Sequence, residues 1–189
     1  MTSWKGKLWS IPSQSGGELV LFNKKLFDAK GVKHPNKDWT YDDLIDACRK
    51  LNDPANNKFA LEVGQNGLHY MGATFVMNFG GKVLNDTRDE ALYGDDPISL
   101  QGAQLDVDLH QRYRFTPTDA ARATLATGQR TLEAEMVAME INGLFRRATA
   151  LPVLGQENLD FAPPPKGPKG EGPGVKDYHE LLSRDDGRA

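Results

Sequence analysis

Short apolar runs alternate along this chain with stretches of helical spacing, and that alternation predicts an α/β layer architecture. The runs at 18–22, 59–63, 136–141 and 159–162 have the length of strands. Between them, apolar residues recur every three or four positions, as in Tyr41, Leu44, Ile45, Cys48 and Leu51, which is the stripe of an amphipathic helix. Gly, Pro and Asn punctuate the joints.

Taken in order, residues 7–11 read as a short strand ended by Pro12, and 13–17 as a polar, Gly-rich connection. The strand at 18–22 leads through Asn23 into a short helix at 24–30, which Gly31 ends. Thr40 is an N-cap with Asp42 and Asp43 in the first turn, and Pro54 closes the helix that starts there. After the strand at 59–63, the turn residues Gly64 to Gly67 open a helix over 68–79, terminated by Gly80-Gly81. Pro97 opens a further helix that runs to about Tyr113, and the alanine-rich stretch 116–129 is expected to be helical as well. A buried strand at 136–141 is followed by a turn at Asn142-Gly143, a helix over 144–151 stopped near Pro152, and a last strand at 159–162.

Pro and Gly dominate 163–174, which neither a helix nor a sheet interior absorbs, so a linker or surface loop is expected there. A helical turn at 178–182 and a charged, frayed end complete the tail. The domain organisation is therefore one domain over 1–162 and a linker with tail over 163–189.

Composition excludes several functions. A chain of 189 residues, 39% hydrophobic and 26% charged, fits one domain with a core of its own. A net charge of -3 without a basic run gives nucleic acid little to hold. No run approaches the roughly 20 apolar residues of a membrane span, and residues 1–9 lack the apolar core of an export signal. The single cysteine, Cys48, sits on the helical stripe and is expected in the core. His34, His69, His110 and His179 are scattered without metal-ligand spacing, and no nucleotide-binding or nucleophile-elbow motif is present, so neither metal nor cofactor is expected. The acidic pairs Asp42-Asp43, Asp95-Asp96 and Glu133/Glu135 fit helix starts, turns and solvated faces better than acid–base chemistry. Tyr70 and Phe145 stand beside turns, where a ring either joins the core or lines the mouth of a cleft.

Six stretches carry a family resemblance: GKLWSIP (6–12), LVLFNKKLFDAKGV (19–32), DWTYDDLIDACRKL (38–51), FVMNFGGKVL (75–84), VAMEINGLF (137–145) and FAPPPKGPKG (161–170). In this order they resemble the extracellular solute-binding proteins of sugar ABC transporters, the family of the maltose-binding protein. The resemblance covers about residues 6–170. It implies one lobe of a two-lobe periplasmic-binding-protein-like fold, namely the second lobe of a longer chain, with residues 175–189 departing from the family's pattern. It also implies the function of binding a carbohydrate in the inter-lobe cleft and delivering it to ABC permease subunits, with no catalysis.

By position, Tyr70 matches the aromatic that stacks on the sugar, and Phe145 matches an aromatic that is often tryptophan. Phenylalanine offers a smaller face there and no indole donor. Gln65, Asn66 and His69, with Ser13 and Gln14 at the entry to the lobe, are implied to hydrogen-bond hydroxyls. A monomer in the periplasm or outside the cell is implied, and any lipid anchor would belong to the parent. The alternatives are a binding protein of the same fold for a polyamine, glycerol phosphodiester or metal chelate, a sensory module, and a hydrolase using Glu62 or Asp95.

Overall fold

The computed structural model describes residues 3–11, 18–63, 73–92 and 94–168. At the start, β1 (Ser3–Trp4) and β2 (Lys7–Leu8) form a small antiparallel hairpin around Lys5 and Gly6, both at positive φ (48° and 74°), as a tight hairpin turn demands. The strand expected over 7–11 is thus limited to Lys7–Leu8, because only those residues find a partner strand.

The main sheet is built from β3 (Glu18–Asn23), β4 (Phe59–Val63), β5 (Val137–Gly143) and β6 (Leu159–Ala162), in the order β4-β5-β3-β6. β4 and β5 run parallel, while β3 runs antiparallel to both β5 and β6. Strands covered on both faces read as continuous apolar runs, and here nearly every residue of β3, β4 and β5 is buried. On one face Val20, Phe22, Leu61, Met139 and Ile141 pack with Phe27 of α1 (Lys24–Ala29), with the stripe of α2 (Tyr41–Leu51) and with Phe75 of α3 (Ala73–Asn78). On the other, Leu19, Leu21 and Leu159 meet Leu132 together with Ala150 and Leu154 of α6 (Arg147–Leu154). The result is three layers, helix on sheet on helix.

Local chemistry accounts for α2. The Thr40 hydroxyl accepts from the Asp43 N–H at 3.3 Å, and the Asp43 carboxylate accepts from the Thr40 N–H at 2.8 Å, which closes a capping box. Cys48 is fully buried on its inner face, as the stripe predicts, and burial pushes its thiol far up. Helix α4 (Pro97–Val107) begins with Pro97 after the Asp96 cap, then relaxes into a π turn over Asp108–Arg112. Gly102 lets α4 press against the backbone of α3.

Four expectations need correction or extension. The alanine-rich stretch 116–129 is helical only over α5 (Asp119–Arg122): the Thr124 hydroxyl donates to the Ala121 carbonyl at 2.7 Å, and Gly128 takes a positive φ of 80°. Asn142-Gly143 is not a turn, because both residues continue β5 opposite Leu19 and Glu18. The helix expected over 144–151 begins as a 3-10 turn, Leu144–Arg146, and continues past Pro152 to Leu154, which packs into the core. Residues 163–168, at the head of the Pro/Gly stretch, fold back on the start of α2: Trp39 Nε1 donates to the Pro163 carbonyl at 2.8 Å and the Lys166 N–H to the Trp39 carbonyl at 2.9 Å. The tail segment 178–182 lies outside the described residues.

Candidate functional site

In open α/β sheets, ligands sit outside the carboxyl ends of the parallel strands. Here that edge is formed by Val63 at the end of β4, Gly143 at the end of β5, and Glu18 at the start of the antiparallel β3. The 3-10 turn Leu144–Arg146 emerges from β5 at this edge and presents Phe145, whose side chain is 65% exposed. Phe145 joins neither hydrophobic cluster of the described residues. A Cβ on Gly143 would lie 2.6 Å from the Phe145 ring, so the ring occupies the space that any other residue at 143 would fill.

Beneath the turn, Arg146 anchors the chain. Its side chain is 1% exposed, and it donates from Nε to Glu140 at 3.0 Å and from Nη2 to Glu133 at 2.8 Å. Burial by itself lowers the pKa of this guanidinium, but the hydrogen bonds to Glu140 and Glu133 outweigh that and hold it above its ordinary value. Glu140 also accepts from Asn142 Nδ2 at 2.6 Å, and the Asn142 Oδ1 accepts from the Gly143 N–H at 2.8 Å. The ion network therefore reaches from the sheet to the backbone that carries the exposed ring.

Glu62, one of the two carboxylates weighed for hydrolysis, is buried and committed to this same layer. It accepts from Arg122 Nη2 at 2.8 Å and from the Thr131 hydroxyl at 3.1 Å. Asp95 is exposed in a turn. Neither carboxylate stands beside Phe145 in the pairing of the sheet. Glu18 does. It is partly buried, bonded to the Thr74 side chain, and its Oε2 is buried without a hydrogen-bond partner among the described residues. Burial pushes its carboxyl up, and the Thr74 bond offsets only part of that.

Of the residues that the resemblance assigned to the ligand, Phe145 is placed at this edge, while Ser13, Gln14, Gln65, Asn66, His69 and Tyr70 lie outside the described residues. Glu18 and Arg146 were missed. The signal for Glu18 was an acid opening an apolar run directly after two glycines, and for Arg146 an arginine pair immediately after the aromatic. A concavity of about 280 Å³ is lined by the 32–39 segment and α2 and includes no residue of the sheet edge. Among the described residues no group of His, Cys, Asp and Glu has the arrangement to hold a metal ion, and no helix is long and apolar enough to cross a membrane.

Solved structures with the same architecture are numerous. An ABC substrate-binding protein from Listeria monocytogenes, in complex with cycloalternan, superposes with a TM-score of 0.74 at 19% identity, over 88% of this chain and 42% of that one. A solute-binding protein from Thermotoga lettingae bound with α-D-tagatose gives 0.71 at 22% identity, over 95% and 50%. The maltose-bound MalE3 of T. maritima gives 0.70 at 21%, over 90% and 44%. The chain thus spans half or less of the length of these proteins, and its fold is that of one lobe of a periplasmic-binding-protein-like structure. No curated protein matches the sequence. The chain belongs to the bacterial extracellular solute-binding protein family, whose profile matches residues 2–182. That family consists of binding proteins.

Proposed function

We propose that this lobe contributes one wall of a cleft that captures a carbohydrate or polyol, and that the complete protein delivers the solute to the permease subunits of an ABC transporter. The observation that carries this reading is the exposed Phe145 ring at the carboxyl edge of β4 and β5, in a chain of this family. A ring held with one face to solvent suits the apolar face of a sugar, while amides and hydroxyls around it suit the sugar's edges. Tyr70 is proposed as a second stacking ring, with Gln65, Asn66, His69, Ser13 and Gln14 as hydrogen-bonding residues. The solved relatives in complex with cycloalternan, tagatose and maltose support a carbohydrate over a charged solute.

The role is binding without turnover, in a monomer that works in the periplasm or outside the cell, where a lipid anchor on the complete protein is one way of holding it. The cleft closes between two lobes, so this chain supplies about half of the contacts. Each lost hydrogen bond to a neutral sugar weakens binding by about 1 kcal/mol, and the isolated lobe therefore binds weakly.

Thermal shift of the two-lobed protein against sugars, polyols, polyamines and phosphodiesters tests the reading. At 100 times its dissociation constant a solute stabilises the native state by about 2.7 kcal/mol. The expected result is a rise in Tm with one class of sugar or polyol, abolished by Phe145→Ala or Tyr70→Ala. A rise with charged solutes alone would replace the carbohydrate reading with that of a binding protein for such a solute.

A further inference from the structure

Glu18 and Gly143 are register partners on the antiparallel strands β3 and β5. Residues directly opposite each other in such a pair project to the same face of the sheet with Cβ positions about 5 Å apart. Gly143 has no side chain, and the Phe145 ring lies where one would be. The side chain of Glu18 and the exposed ring of Phe145 therefore leave the same face of the sheet from neighbouring positions, at the carboxyl edge of β4 and β5.

The state of that carboxylate points to a ligand. A carboxylate is a pure acceptor, and a buried oxygen of one that lacks a donor costs free energy. Thr74 bonds the Glu18 side chain, yet Oε2 is left buried without a partner among the described residues. The other buried carboxylates on the sheet contrast with it: Glu62 has Arg122 and Thr131, and Glu140 has Arg146 and Asn142. Among the described residues of the sheet, Glu62 and Glu140 are fully paired and Glu18 has an oxygen left over.

We infer that Glu18 is a solute-binding residue, and that its free oxygen and the Phe145 ring form one subsite for a ring that stacks on Phe145 and offers a hydrogen-bond donor at its edge. The inference rests on the solute-binding reading above and specifies the chemistry of that site. The donor is a sugar hydroxyl or the protonated amine of an amino sugar. Both satisfy an acceptor-only group, and the amine adds charge and an attraction to the ring face. A solute that carries an anionic group at this position is rejected.

The test is an NMR titration of the 189-residue chain with glucose, glucosamine, mannitol and glucose 6-phosphate, following the amides of Gly143, Leu144 and Phe145. Saturable shifts are expected with at least one of the first three probes. Replacing Glu18 with Gln or Leu should weaken that binding by about tenfold or more, the scale of a lost charge-assisted hydrogen bond. If the donor is an amine, glucosamine outbinds glucose in the native chain and loses the advantage in Glu18→Gln; if it is a hydroxyl, the two bind alike and weaken together.

Binding that Phe145→Ala removes but that both Glu18 variants retain would overturn the role of Glu18 and leave the site reading in place. No shift with any probe, at concentrations high enough to register the weak binding of a single lobe, would overturn both. The ligand-free melts separate function from structure: Glu18→Gln should melt no lower than the native chain, whereas a residue placed to hold the fold together would melt lower on replacement.

Discussion

Glu62 and Glu140 are register partners on the parallel strands β4 and β5, two buried carboxylates side by side on one face of the sheet, and each is answered by its own arginine. Arg122 reaches Glu62 from α5 with a side chain 19% exposed, whereas Arg146 is sealed between Glu140 and Glu133 at 1%. Removing a buried partner leaves uncompensated charge, so Arg146→Met should destabilise the fold by about 3–5 kcal/mol. Arg122→Met leaves Glu62 closer to water and should cost less. Urea unfolding of the two variants checks the order. Combining Arg146→Met with Glu133→Gln and Glu140→Gln should recover much of the loss, because the penalty lies in the stranded acids.

The capping box of α2 is a local device with a local cost. Thr40→Ala removes the acceptor for the Asp43 N–H and the hydroxyl that donates to the Asp43 carboxylate at 2.8 Å, and should destabilise by about 1 kcal/mol. Hydrogen bonds from the Thr40 backbone and side chain hold the Asp43 carboxyl below its ordinary value. Its contribution is therefore present above the unfolded carboxylate range and fades as pH falls through the lower, folded value. The gap in denaturation midpoint between Thr40→Ala and the native chain should narrow in acid, by the part carried by the hydroxyl's bond to the carboxylate. A difference that persists unchanged below about pH 3 would rule out the Asp43 linkage.

Features fixed by neighbours in sequence were legible, and features fixed by distant pairing were not. The start of α2 could be read because Thr40, Asp42 and Asp43 act within one turn, and the stripe that buries Cys48 is periodic. Asn142-Gly143 carries the local chemistry of a turn, yet pairing with Leu19 and Glu18 keeps it in β5. The alanine-rich stretch has high helix propensity, but Thr124 and Gly128 end the helix early. The site divides in the same way. Phe145 reads as an aromatic beside a turn at Asn142-Gly143 but follows directly on a strand, and the setting of Glu18 depends on which residue lies opposite it on another strand. Arg146, in an arginine pair that reads as surface charge, is buried only because Glu133 and Glu140 converge on it.

Gly102 sets the spacing of α3 and α4. A Cβ there would lie 2.6 Å from the Val76 Cα and 2.7 Å from the Phe75 carbonyl oxygen, and both are backbone atoms that yield only if a helix moves. Alanine improves helix propensity by about 1 kcal/mol, while overpacking against backbone costs about 1–3 kcal/mol. The clash wins at this separation, so Gly102→Ala should lower Tm. Gly94→Ala, where the new methyl meets open space, is the control and should leave Tm nearly unchanged. Equal melting of the two variants would mean that the helices separate freely.

Glu18 should give the ligand-free protein a pH dependence opposite in sign to that of Asp43. Burial raises its carboxyl above the ordinary value, with Thr74 partly offsetting the effect, and the buried Tyr41 feels the charge of Glu18 as well. Between the unfolded value and the raised folded value, the native state holds more protons than the unfolded state, so this contribution falls as pH rises through that window. Glu18→Gln removes the titrating group. Its melting temperature relative to the native chain should therefore increase as the pH is taken from about 4 toward 7, and level off above the raised value. Differential scanning calorimetry across that range reads the slope directly. A relative Tm that instead falls with rising pH would mean that the ionised carboxylate is stabilised in the ligand-free fold, and that its free oxygen finds a partner there without any solute.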